Sequence, residues 1–163
     1  MRTRQATTVL LSATIAAGGL TWLAGCGGGH GSDKVRAVPR TEPGAAAVIR
    51  RWADTLRRGD VRGAASFFAL PSVVSNGTPP VRLNTRADAW LFNASLPCGA
   101  RLIRTRSFGR FTTATFRLTE RPGAGTCGSG VGLTARTTFV ISGGKIREWR
   151  RVPDRPAPSG RTV

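Results

Sequence analysis

The chain has 163 residues, of which 25 are lysine or arginine and 8 are aspartate or glutamate, for a formal net charge of +17. That length supports one sizeable core, and neither an internal repeat nor a second domain is visible. One histidine, three cysteines and no tyrosine leave too few ligands for a cysteine–histidine metal cluster, and no metal or cofactor is expected.

The chain opens Met1-Arg2-Thr3-Arg4, positive and without an acid, and Val9 to Leu23 then runs without a charge. This stretch is interrupted by Gly18 and Gly19 and is shorter than the roughly 20 apolar residues of a membrane-spanning helix. A positive start, a short apolar run and small residues before a cut describe a secretory signal. Its last residues, Leu23-Ala24-Gly25-Cys26, resemble the lipobox of bacterial lipoproteins. The resemblance implies that 1–25 is a signal peptide cleaved before Cys26. It also implies that the Cys26 thiol carries a diacylglyceryl group and that the new amine is open to acylation, for instance by palmitate. The leader has no Arg-Arg pair, so general secretion is expected rather than the twin-arginine route. Each buried acyl methylene contributes about 0.8 kcal/mol, and two chains anchor stably. The mature protein is therefore expected at the outer face of the cytoplasmic membrane, in the cell envelope.

An exported protein does not meet cytoplasmic nucleic acid. The basic residues, all arginine except Lys34 and Lys145, are also scattered along the chain without the aromatic–glycine motifs of RNA-binding modules. Nucleic acid is not an expected partner. The charge reads either as a solvated surface or as attraction to anionic envelope components, lipid head groups or phosphate-rich polymers. With Cys26 consumed by lipid, Cys98 and Cys127 are an even pair in an oxidising compartment, and a disulfide is expected.

Residues 26–43 are rich in Gly, Pro and charge and read as a lipidated cysteine followed by a flexible tether. His30 sits in it. From Gly44 to Arg58 the spacing is helical, with Val48, Ile49, Trp52, Ala53 and Leu56 on one face. Gly59 suits a helix C-cap and Asp60 the N-cap of a second helix over about 60–69, stopped by Leu70-Pro71. Residues 72–75 and 81–83 read as short strands around a Pro/Gly-rich turn. Thr85 to Asp88 has capping-box spacing and starts a third helix to about Ser95, with Ala87, Trp90, Leu91 and Ala94 as its expected buried stripe. The period then changes to two, and strands are expected over 100–107, 111–120, 131–142 and 145–152. Gly143-Gly144 makes the last hairpin turn. The remaining 153–163, Pro/Gly/Arg-rich, is expected to be a disordered tail. The fold class is α+β: three N-terminal helices packed on a curved antiparallel sheet, over 44–152.

The first helix with Trp52, then Gly59-Asp60, and a final strand reading Lys145-Ile146-Arg147-Glu148-Trp149-Arg150 resemble the nuclear transport factor 2-like superfamily. That group includes SnoaL-like polyketide cyclases and ketosteroid isomerase. The resemblance implies a cone-shaped fold enclosing a pocket, a small apolar ligand in many members, and homodimers through the sheet in many. Trp52, Phe67, Phe68, Trp90, Phe116 and Trp149 could line such a pocket or fill the core.

The catalytic equipment of the superfamily does not carry over. An isomerase of this kind pairs an Asp base with a tyrosine-containing oxyanion site, and this chain has no tyrosine. The one histidine lies in the tether. No complete catalytic constellation is assembled, and Glu148 and Asp88 are the weak remaining candidates. Asp60 and Asp88 read first as helix-start residues, and Glu148 as the ion-pair partner of neighbouring arginines. Two functions follow. One is an envelope ligand-binding or interaction module. The other is a SnoaL-like isomerase or hydrolase acting on a small apolar substrate, which requires Glu148 or Asp88 in a pocket with a raised pKa.

Overall fold

The structure is a computed structural model that describes residues 40–153. The leader, the lipobox, His30 and the tail after Pro153 lie outside the described residues.

Helix α1 (Ala45–Arg57) buries the stripe its spacing predicts, Val48, Ile49, Trp52, Ala53 and Leu56, together with Ala45. Gly59 follows in the left-handed region, at φ 87°, where a side chain would be strained. The Asp60 carboxylate accepts the Gly63 N–H at 2.7 Å and starts α2 (Val61–Ser66). Helix α2 is shorter than expected. Its apolar Phe67-Phe68 end leaves the helix, and Phe68 opens strand β1 (Phe68–Ser75), which runs through Pro71. Pro71 thus sits inside a strand instead of stopping a helix, which its fixed φ allows. Strand β2 (Val81–Leu83) pairs antiparallel with β1.

Helix α3 (Arg86–Ala94) has the full capping box: Asp88 N–H donates to Thr85 Oγ1, and Thr85 N–H donates to the Asp88 carboxylate. Its buried face is not the expected one. Ala89 and Asn93 are inside, Phe92 is half-buried against the core, and Ala87, Trp90 and Leu91 face solvent. The cause is polar: the Trp52 indole N–H donates to Asn93 Oδ1 at 2.9 Å, and Asn93 Nδ2 donates to Ala89 O at 2.7 Å. A buried indole needs such a partner, and supplying it turns the helix so that Asn93 points inward.

Four strands complete the chain: β3 (Gly99–Phe108), β4 (Phe111–Thr119), β5 (Thr134–Ser142) and β6 (Lys145–Val152). Strand β5 starts three residues later than expected. Gly132 takes φ 83° after a 3-10 turn over Gly128–Gly130, and Val131 and Leu133 remain exposed. At the far end Gly143 and Gly144 take positive φ, as a two-residue hairpin requires. The sheet has six strands in the order β2-β1-β6-β5-β4-β3. It is mixed, not purely antiparallel, because β1 runs parallel to β6. The third helix therefore follows two strands and is not part of an N-terminal helical block.

The hydrophobic core, Ala45 to Trp149, lies between α1, the end of α3 and one face of the sheet. Trp52 is its centre: Phe68, Phe116, Phe139 and Trp149 all meet its ring edge-on within 6.4 Å. The described residues 40–153, which hold this core and the disulfide, fall within one compact unit with its own core, the kind of unit able to fold alone. Two residues of the expected tether belong to it. Thr41 Oγ1 donates to Gly109 O at 2.8 Å, and Gly144 N–H donates to Glu42 Oε1 at 2.7 Å.

The Cys98–Cys127 disulfide is present, with Cα atoms 4.5 Å apart. Its loop is held by Glu120, whose carboxylate accepts the Cys127 and Gly128 N–H groups, both at 3.1 Å. The next residue, Arg121, is buried. It donates to Leu96 O from Nε and Nη2, at 2.9 and 2.6 Å, and to Ala94 O at 3.0 Å. These are carbonyls at the end of α3, which no helical N–H reaches. Burial lowers the pKa of this guanidinium.

Candidate functional site

Strand alternation sends Phe116 and Leu118 of β4, Ala135 and Thr137 of β5, and Trp149 and Arg151 of β6 to the face that carries α1. Between these side chains, Trp52, Leu56 and the Leu96–Cys98 turn lies a cavity of about 100 Å³. Exposed Asn76 and Pro97 mark its opening. Its walls are chiefly apolar, because two small residues, Ala100 and Ala135, occupy inward strand positions where larger ones would fill it. The turn that carries Pro97 and Cys98 is tied down from behind by the disulfide and by Arg121.

One polar group in this wall is unsatisfied. Trp149 is 5 % exposed, lines the cavity, and its indole N–H has no hydrogen-bond partner. Trp52, the other buried tryptophan among the described residues, is satisfied by Asn93. Leaving a buried donor unpaired costs about 1–3 kcal/mol, a cost that an acceptor brought against the edge of this ring would remove.

Of the six aromatic residues considered for the pocket, Trp52, Phe116 and Trp149 line the cavity. Phe68 is buried core, packed edge-on against Trp52 and Phe92. Phe67 caps α2 and is half-buried against the core. Trp90 is 44 % exposed, on an outer groove beside Arg62 and Arg86. Core and pocket wall are continuous at Trp52.

Neither candidate acid reaches the cavity. Glu148 points to the opposite face of the sheet, where it pairs with Arg110 at 3.1 Å and Arg150 at 2.9 Å. Asp88 borders a wider open groove of about 660 Å³ between β2 and α3. The backbone N–H groups of Thr85 and Asn84, with the Thr85 hydroxyl, hold its carboxyl below its ordinary value. A general acid in a pocket needs the reverse shift. Among the described residues no three His, Cys, Asp or Glu side chains converge as metal ligands.

Sequence patterning alone did not find Thr137, Arg151 or the two alanines of the cavity. The alanines were visible as small residues at inward strand positions, a signal of space as much as of packing.

No family model matches the chain, and no curated protein does. Solved structures do. One is a protein assigned as a polyketide cyclase from Sinorhizobium meliloti, with TM-score 0.51 and 15 % identity, covering 65 % of this chain and 94 % of that one. A second is a protein with a ketosteroid isomerase-like fold from Catenulispora acidiphila, in complex with trimethylamine. It has TM-score 0.51 and 10 % identity, covering 66 % and 85 %. A protein assigned as a ketosteroid isomerase from Kribbella flavida aligns with TM-score 0.48 and 20 % identity, covering 71 % and 83 %. The domain has the ketosteroid isomerase-like, nuclear transport factor 2-like fold. At these identities the likeness is one of fold.

Proposed function

We propose that the chain is a membrane-anchored extracytoplasmic lipoprotein whose domain is a ligand-binding module of the cell envelope. The ligand is a small, mostly apolar molecule carrying one hydrogen-bond acceptor. The observation that carries this is an apolar cavity lined in part by Trp149, a residue 5 % exposed whose buried indole N–H has no hydrogen-bond partner. A cavity of about 100 Å³ is smaller than the roughly 150 Å³ engineered cavity that takes benzene, so the part of the ligand that enters is a compact group of a few heavy atoms.

Cyclopentanone and cyclopentane test this, because they differ by one acceptor on the same ring. In the 15N-labelled domain, cyclopentanone shifts the Trp149 indole N–H resonance, assigned by its absence in Trp149→Phe, and cyclopentane leaves it in place. An indole resonance that ignores both compounds while responding to temperature and pH like an exposed N–H would refute the site. Membrane anchoring is tested separately. Cys26→Ala should abolish lipid labelling and release the processed chain from the membrane fraction, whereas normal processing and retention would overturn the lipobox reading.

The second function is an isomerase or hydrolase on a small apolar substrate; the Sinorhizobium meliloti neighbour, alike in fold, is assigned as a polyketide cyclase. It requires a general acid or base in the cavity. Among the described residues no aspartate, glutamate or histidine lines it, so binding without turnover is the reading the cavity supports better.

A further inference from the structure

The outer face of the sheet gathers arginines that are far apart in sequence. Pairing register arranges them in rows across β3, β4, β5 and β6. Arg101 stands opposite Arg117. Arg104 leads to Thr115 and on to Arg136. Arg106 leads to Thr113, Thr138 and Arg150. Arg110 joins them from the β3–β4 turn. Among the described residues seven guanidinium groups thus share one face with a single carboxylate, Glu148, which Arg110 and Arg150 already occupy. Among the described residues no acid pairs with Arg101, Arg104, Arg106, Arg117 or Arg136. Directly opposed like charges such as Arg101 and Arg117 weaken a sheet, so folding alone gives no reason for this pattern.

The last row across the sheet is different. Phe108, Phe111 and Val140 lead to Glu148. Phe108 is 87 % exposed and Phe111, opposite it in the register, is 36 % exposed. The Arg110 guanidinium lies over the Phe111 ring, 4.9 Å from its centroid. A basic field with an apolar, aromatic end matches a bilayer interface, where arginines meet phosphates and the aromatic ring enters the acyl boundary. A soluble polyanion would use the charge and leave Phe108 idle.

We propose that this outer sheet face docks flat on an anionic phospholipid membrane, with Arg104, Arg106 and Arg136 on the head groups and Phe108 inserted. Docking this way turns the cavity, on the other face of the sheet, away from the bilayer. The inference does not depend on the ligand or on the lipid anchor.

Its test uses the folded unit of residues 36–163, without a lipid, and sedimentation with vesicles. The domain should partition onto phosphatidylcholine vesicles containing about one third phosphatidylglycerol, and not onto phosphatidylcholine alone. Raising salt toward 1 M, where the screening length is about 3 Å, should release it. Arg104→Gln/Arg106→Gln/Arg136→Gln should weaken partitioning on the order of a hundredfold. The triple Arg50→Gln/Arg51→Gln/Arg58→Gln, on α1 and at its C-cap, removes the same charge from exposed positions elsewhere and should weaken it less than about fivefold. Phe108→Ala should cost about tenfold on vesicles and nothing on soluble inorganic polyphosphate. Near-UV circular dichroism checks that each variant is folded. Equal losses from the two triples would reduce the effect to net charge and overturn the proposal. So would polyphosphate binding as tight as vesicle binding with no role for Phe108, or a dimer in solution that the first triple dissolves.

Discussion

If the cavity is empty space between apolar walls, filling it must stabilise the domain and at the same time block binding. Ala135 is the residue to change. It is 6 % exposed, faces the cavity from β5, and stands opposite Phe116 in the sheet. Ala135→Val adds two methyl groups to a strand position that favours β-branching. Each buried group contributes about 0.8 kcal/mol, and ordering the valine side chain costs about 0.5 kcal/mol. The net gain is about 1 kcal/mol, equivalent to a rise of about 5 °C in Tm for a domain of this size. Thermal unfolding of residues 36–163 measures it, and the cyclopentanone-induced shift of Trp149 should vanish in the same variant. A loss of more than about 1 kcal/mol would mean that the site is already packed to density, and the cavity reasoning would fall with it. A gain in stability with cyclopentanone binding intact would instead remove Ala135 from the site.

Three further outcomes follow from the frame around the cavity. Arg121→Met should destabilise by about 2–3 kcal/mol in urea unfolding, because the carbonyls of Ala94 and Leu96 lose their charged donor; Arg121→Lys should recover little of it, lacking the fork that spans both. Replacing Cys98 and Cys127 together by serine should cost about 3–4 kcal/mol, with the loss read as a lower urea midpoint, and an unchanged midpoint would show that Glu120 and Arg121 hold the loop unaided. Asp88→Asn should lower stability at neutral pH. The carboxyl of Asp88 titrates below its ordinary value in the folded chain, so its contribution is full above the unfolded pKa and is lost as pH falls through the folded one. The Tm difference between wild type and Asp88→Asn should therefore close on acidification below pH 3.8, and a difference that persisted there would assign the effect to shape instead of charge.

Much of the architecture was legible because local signals agreed with one another. The 3.6 period of Val48, Ile49, Trp52 and Leu56, the Gly59-Asp60 junction, the Thr85–Asp88 box and the Gly143-Gly144 turn each name their element by its own chemistry, and each is found where expected. The failures share a cause in tertiary pairing. Phe68 and Ala69 continue the helical pattern of α2, yet strand β6 lies open beside them, and Ile146 N–H donates to Phe67 O at 2.8 Å to begin a parallel ladder. No residue in 60–75 announces that partner. The turn of α3 was hidden for the same reason. Ranking residues by hydrophobicity puts Trp90 and Leu91 inside and Asn93 outside, and it cannot know that Trp52, 41 residues earlier, needs an acceptor.

The two faces of the sheet explain why function was less legible than fold. In sequence, arginines 101, 104, 106, 117, 136 and 150 look dispersed, and dispersal suggested a solvated surface. Their separations are set by hairpin and loop lengths, so only the register reveals that they form rows. The same register carries Ala135 and Trp149 to the opposite face, one residue along from Arg136 and Arg150. The arginine face and the cavity are thus alternate positions of the same strands. This also gives Glu148 a role without catalysis. Seven guanidinium groups on one surface repel one another, and one carboxylate held between Arg110 and Arg150 lowers that repulsion at the apolar end, where Phe108 and Phe111 leave the fewest other groups to screen it. Removing Glu148 should therefore tighten binding to anionic vesicles while lowering stability. A catalytic carboxylate, or one that only props the fold, would not move those two quantities in opposite directions.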